Sequence, residues 1–141
     1  MSQFCTFTLS SFLFGIAVES VQEILPGCGT TPVPLCHEAI AGLINLRGQI
    51  VPAVNLRCLL ELPPASQEQA SDSLNVVLRN DDGPLALLVD EIGDVMEMDP
   101  KDFEIPPATL QGSARNWITG TFKLEHQLLL VLDHERLFLL G

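Results

Sequence analysis

The chain has 141 residues, enough for one domain or for two small lobes that share a core. Eighteen acids against seven bases give a formal charge of −11, which argues against nucleic acid as a partner because its phosphates would be repelled. The apolar share of 47% supplies a core, yet no apolar run reaches the ~18 to 20 uninterrupted residues of a membrane helix. The start, Met-Ser-Gln-Phe, carries no basic stretch ahead of an apolar one, so no secretory signal is read there and a soluble, cytoplasmic protein is expected.

The first element is a short strand, Phe4–Leu9, closed by Ser10-Ser11. A short helix is expected over Cys36–Ile40. The richest stretch runs from Gly42 to Leu60. From Ala39 through Leu56, Arg47 is the only charged residue, and the Arg47-Gly48 step sits between two apolar runs. That pattern predicts a hairpin with its tip at Arg47-Gly48, where Gly48 takes a positive φ. Asn55 is then the N-cap of a short helix over Leu56–Leu60. Residues 61–73, with Pro63-Pro64 and a polar run, read as a connection. Strands follow at Leu74–Leu78 and Leu85–Val89, flanking the turn Asn80-Asp-Asp-Gly-Pro84. The 97–116 region holds Pro100, Pro106, Pro107 and Gly112 and reads as a long loop. Gln127–Leu132 is almost continuously apolar, as for a strand buried on both faces. A last helix over His134–Leu140 is capped by Asp133.

The second half repeats the first. Gly15–Leu25 aligns with Ala86–Met96, Val18 falling on Val89 and Glu23 on Asp94. Gly42–Leu60 aligns with Gly120–Phe138, Leu46 falling on Leu124 and Asn55 on Asp133. Each half has the order strand, strand, loop, strand, turn, strand, short helix, which implies two related lobes built by duplication. The bounds expected are about 12–60 and about 74–132, with the N- and C-terminal segments open to exchange between lobes. The recurrence of Gly42 as Gly120 predicts a tight backbone approach common to both. The second tip, Lys123-Leu124-Glu125-His126, lacks the Arg-Gly step, so the lobes are not equivalent.

Reactive constellations are scarce. His37, His126 and His134 form no metal motif, no Gly-x-Ser-x-Gly elbow is present, and Gly83-Pro84 is a turn, not a phosphate loop. Cys5, Cys28, Cys36 and Cys58 make no Cys-x-x-Cys pair and read as free thiols, several of them buried. Cys28, Cys36 and His37 match no zinc spacing. The expectation is therefore no catalysis, no metal and no cofactor. Without tyrosine and with one tryptophan, Trp117, the chain offers little platform for stacking bases. The acids from Asp81 to Glu104, opposed only by Lys101 from Asp90 onward, are either a solvated face or one that selects a basic partner.

Recognition remains. Glu23 beside Ile24-Leu25 and Arg47 beside Leu46 are charges with apolar neighbours. They are either a surface ion pair and a solvated arginine, or a pair that holds the hairpin tip and presents it to a helical partner.

The run Asn45-Leu46-Arg47-Gly48, then Ile50-Val51-Pro52 and Leu56-Arg57, resembles the signature of CheW-type coupling domains of bacterial chemosensory systems. Val21–Leu25 and Pro32-Val33-Pro34 before it, and Leu88–Ile92 and Gly120–Phe138 after it, extend the likeness from about Phe4 to Phe138. The resemblance implies two five-stranded SH3-like β-barrels packed side by side, in a mostly β fold with short helices. It implies a non-catalytic adaptor between chemoreceptor cytoplasmic tips and the regulatory domain of a CheA-type histidine kinase, recruited to receptor arrays at the inner membrane. Partner-binding residues would be Val21, Glu23, Gly42, Asn45, Arg47 and Gly48. The alternatives are a coupling module of a pilus or cyclic-dinucleotide pathway, or a regulatory fragment of a kinase. Met1 just before the first strand favours a free-standing protein, and an enzyme or small-ligand sensor using the cleft between lobes is a third class.

Overall fold

Short β-branched and leucine-rich runs between turn residues fold as strands throughout. The computed structural model describes residues 1–26, 40–62, 74–106 and 114–139. Among these are ten strands: β1 (Ser2–Leu9), β2 (Phe12–Ala17), β3 (Val21–Pro26), β4 (Ile40–Leu46), β5 (Gln49–Asn55), β6 (Leu74–Leu78), β7 (Leu85–Val89), β8 (Glu91–Met98), β9 (Ile118–Lys123) and β10 (Leu128–Leu132). Three short helices accompany them: α1 (Leu56–Leu59), α2 (Ala114–Trp117) and α3 (His134–Phe138). β6 and β7 have the predicted bounds. α1 and α3 start where predicted, because the Asn55 side chain accepts from the Cys58 amide at 3.3 Å and the Asp133 side chain from the Arg136 amide at 3.1 Å. Ile40 opens β4, not a helix. The remainder of that predicted helix, Pro32, Pro34, Cys28, Cys36, His37 and the connection 63–73 lie outside the described residues.

The strands form two five-stranded sheets, in the orders β8-β1-β2-β10-β9 and β3-β6-β7-β5-β4. These sheets cut across the bounds of about 12–60 and about 74–132. β2 lies with β8–β10, while β6 and β7 lie with β3–β5. The reason is that the chain changes sheet at the same point of each repeat, at Val18–Ser20 and again at Asp90. Each half lends its first hairpin to the sheet made by the other half's last three strands. The parallel pairings seal the exchange: β2 runs beside β10, with Phe14 opposite Leu130, and β7 runs beside β5, with Leu87 opposite Val54.

This arrangement gives the inner strands two buried faces. Leu13 on β2, Leu129 and Val131 on β10, Phe4 and Phe122 form the interior of the first sheet. Val51 and Ala53 on β5, Val77, Ala86, Ile44 and Leu46 form that of the second. The intervening positions, among them Phe14, Ile16, Val54, Val76, Leu85, Leu87, Leu130 and Leu132, point into one common core between the sheets, where the Phe7 and Phe14 rings stack at 5.9 Å. The continuous apolar run of β10 follows directly: odd and even residues serve different cores.

Buried polar contacts fix the crossings. Arg57 on α1 is buried and paired with the carboxylate of Asp90, the residue at which the chain leaves β7. The same carboxylate oxygen accepts from the Ser10 amide at 3.1 Å, and the Asp90 amide donates to the Thr8 carbonyl at 3.1 Å. One side chain thus ties α1, the β1–β2 turn and the second crossing together. Asp90 is therefore set apart from the solvated acids with which its sequence position groups it. Cys5 is half-buried and Cys58 exposed, so the expected burial of several thiols does not hold for these two. Cys58 lies on the outer side of α1, whose Leu56, Arg57 and Leu59 turn inward.

Gly120 meets its tight-approach expectation. A Cβ there would lie 2.2 Å from Phe103 Cζ and 2.6 Å from the Glu104 carbonyl oxygen. Glu104 and Thr121 exchange main-chain hydrogen bonds of 2.9 and 2.8 Å at this point, joining the segment after β8 to β9. Gly42 and Gly120 also mark the same bulge, because Ile40 pairs with Val54 and Gly42 with Ala53 as Ile118 pairs with Leu132 and Gly120 with Val131.

Two stability outcomes follow. Asp90→Ala deprives a buried guanidinium of its carboxylate and lowers unfolding stability by about 3 kcal/mol in urea titration. Gly120→Ala pushes against backbone as well as a ring and costs about 1–3 kcal/mol by the same assay.

Candidate partner-binding site

The site begins with backbone chemistry. Leu46 and Gln49 close the β4–β5 hairpin, leaving Arg47 and Gly48 as a two-residue tip. Both have positive φ, +51° and +86°, the combination of a type I′ turn that suits the twist of paired strands. Nothing lies within 4 Å of where a Gly48 Cβ would be, so glycine answers a conformational need there and not a spatial one. Arginine in the left-handed region is uncommon and needs support. The Asn45 side-chain oxygen supplies part of it, accepting from the Gly48 amide at 2.8 Å.

The guanidinium supplies the rest. Arg47 Nη1 donates to Glu23 Oε2 at 2.8 Å, and Nη2 donates to Oε1 at 2.7 Å. Two parallel bonds fix the planar fork against the planar carboxylate. β3 and β4 are the two outer strands of their sheet, so this pair ties its opposite edges together at the tip. Leu25, next but one to Glu23 on β3, packs against the core formed by Ile44, Leu46 and Val51. The Glu23 side chain is 20% exposed and that of Arg47 69%, so the carboxylate is the anchor and the guanidinium the presented group.

Of the six residues singled out, four converge: Glu23, Asn45, Arg47 and Gly48. Val21 begins β3 and is half-buried, its carbonyl accepting from Arg79 Nη2 at 2.9 Å. Gly42 is buried near the start of β4, away from the tip. These two shape the elements that carry the pair. Ile50 was legible only as part of an apolar run, yet it is 58% exposed, and Ile24 on β3 is 41% exposed. Ile50 pairs across the hairpin with Asn45. The signal is period-two alternation: Val51 and Ala53 take the inward face, which turns Ile50 outward.

The second tip is built differently. Leu124 donates to the Gln127 carbonyl at 2.8 Å, and Lys123 stands 3.7 Å from Glu104 with both side chains largely exposed. Glu125 occupies the place of Arg47 in the repeat, and it stands beside exposed His126. A cavity of about 50 Å³ is lined, among the described residues, by Phe12, Phe14, Leu60, Leu62, Ala114, Ile118 and Leu130, none of which is polar.

The hydrogen bonds from Arg47 hold the Glu23 carboxyl below the usual glutamate range. Partial desolvation opposes them, and the Arg47 charge and a Gln22 side-chain bond add to them. Because the folded state favours the ionised form, the pair's contribution is present above the unfolded glutamate value of ~4.3 and disappears as pH falls through the lower folded value. A carbon-13 NMR titration will place Glu23 below ordinary glutamates, and Arg47→Ala will return it to their range.

Comparison with known proteins adds the lineage. Residues 3–140 match the family model of the CheW-like domain. The chemotaxis protein CheW of Treponema pallidum is 31% identical over 138 residues, covering 96% of this chain and 81% of that protein. That of Klebsiella aerogenes is 28% identical over 135 residues, covering 96% and 80%. The crystal structure of the scaffolding protein TtCheW from Thermoanaerobacter tengcongensis superposes with a TM-score of 0.81 over 94% of this chain and 84% of that one, at 23% identity. The likeness to TtCheW is one of fold, the two-lobed SH3-like architecture. With the family match spanning nearly every residue, the chain belongs to the CheW-like domain family.

Proposed function

We propose that this chain is a non-catalytic adaptor that couples chemoreceptor cytoplasmic tips to a CheA-type histidine kinase. The observation that carries the reading is the Arg47–Glu23 fork, held on an exposed left-handed turn, with Ile24 and Ile50 exposed on the neighbouring strands β3 and β5. A cation fixed in direction, on a sheet that also exposes aliphatic side chains, suits a helical partner that offers a carboxylate or carbonyl beside an apolar stripe. An antiparallel receptor hairpin has that character.

Signal then passes as a coupling of binding free energies. A change in receptor packing alters its fit to the tip, and the adaptor's contact with the kinase changes with it. No described helix is long and apolar enough to cross a membrane. The reading places the protein in the cytoplasm, drawn to receptor arrays at the inner membrane by its partners. The acidic balance of the chain suits protein partners better than nucleic acid.

The test is capture of purified protein by a receptor cytoplasmic fragment and, separately, by a CheA-type regulatory domain. Wild type binds both. Arg47→Glu loses at least tenfold in receptor affinity and keeps both kinase binding and its circular dichroism spectrum. Binding of neither partner by wild type overturns the adaptor reading, and loss of fold in the variant shows Arg47 to be structural.

A further inference from the structure

Asn45 sits within the partner-facing sequence, but its side-chain oxygen is directed back into its own hairpin. That oxygen accepts from the Gly48 amide at 2.8 Å, across a tip whose two central residues both have positive φ. Glycine reaches that region without penalty, whereas arginine does not. The turn therefore needs a local hydrogen bond that the paired strands do not provide. An asparagine carbonyl closing onto the backbone three residues ahead is such a bond. The repeat offers a built-in contrast in side chains: Lys123 stands where Asn45 does and Glu125 where Arg47 does, while Leu124 and Gln127 hold the places of Leu46 and Gln49.

We infer that Asn45 is a positioning residue: it fixes the tip so that Arg47 reaches Glu23 as a two-bond fork, and it acts on partner capture through Arg47 and not by touching the partner. Both bonds of the fork require the guanidinium plane to meet the carboxylate plane within a narrow angle. A tip free to leave the left-handed geometry swings the arginine stem away from β3. The presented cation then becomes a mobile one, and binding bears the cost of ordering it. The inference deepens the adaptor reading, and the part that concerns partner capture rests on it.

Three measurements on the intact chain test it: exchange protection of the Gly48 amide, the Glu23 carboxyl titration, and affinity for a purified receptor cytoplasmic fragment. Asn45→Ala should lose Gly48 protection by tenfold or more, move Glu23 up toward ordinary glutamates, and weaken fragment binding about tenfold. Asn45→Asp keeps the accepting oxygen in place and should restore Gly48 protection and most of the affinity. A weakened affinity in Asn45→Ala with Gly48 and Glu23 unchanged overturns the inference and makes Asn45 a direct contact. Lost protection with Glu23 and affinity unchanged overturns it also, because the fork would then stand without the turn bond. If wild type does not bind the fragment, the adaptor reading fails, and the Gly48 and Glu23 measurements still decide whether Asn45 holds the fork.

Discussion

The structure depends on a single packing constraint: the inner strands must bury both faces. Leu129 and Val131 fill the interior of one sheet while Leu130 and Leu132, on the same strand, fill the layer between sheets. Apolar burial of this kind contributes roughly 25 cal/mol for each Å² removed from water, and no surface contact of this small fold approaches the sum. The exchange of first hairpins is what makes the common layer continuous. Because β2 pairs with β10 and β7 with β5, side chains from both halves of the sequence meet in every core. Cutting either half away would strip a sheet of its inner strands.

Two arginines of the first repeat show how burial divides a charge enclosed by the fold from one left open at its surface. Arg57 is buried with Asp90 at a point where α1, the β1–β2 turn and a crossing converge. Its charge is used up inside the protein. Arg47 forms a fork of similar chemistry with Glu23 but at a tip, with most of its surface open. A buried pair of this type specifies geometry and is severe to break, whereas an exposed one adds little stability and leaves its cation available. The two halves have kept the scaffold in common and differ at the tips, where Glu125 stands in place of Arg47.

Much of this was legible in residues. The bounds of β6 and β7 followed from turn chemistry on either side, and the caps at Asn55 and Asp133 followed from residue type. The tip at Arg47-Gly48 followed from one charge between two apolar runs. Sheet membership was not legible in the same way. A repeat folded on itself and a repeat that lends its first hairpin to its neighbour have identical periodicity, so only the pairing distinguishes them. Asp90 was hidden among acids that do face water, because charge density along a sequence says nothing about which carboxylate meets a guanidinium. The exposure of Cys58 was not legible for a related reason: on a helix of one turn, facing is set by Leu56 and Leu59, and no period is long enough to reveal it. Nor does an asparagine in an exposed signature announce that its oxygen serves its own turn.

The hairpin exchange also bears on how the chain is made. The sheet of β3–β7 is contiguous, spanning Val21 to Val89, whereas the other needs β1 and β2 from the start of the chain and β8–β10 from near its end. Synthesis proceeds from the N-terminus, so the contiguous sheet has all its strands while the last three of the other are still unmade. At about 5–20 residues per second, Phe4, Phe7, Leu9 and Phe14 wait several seconds before β10 exists to receive them. For that interval the nascent chain carries an unpaired, phenylalanine-rich hairpin beside a nearly finished partner. The early hairpin is thus where this fold is most open to association with other nascent chains or with a chaperone.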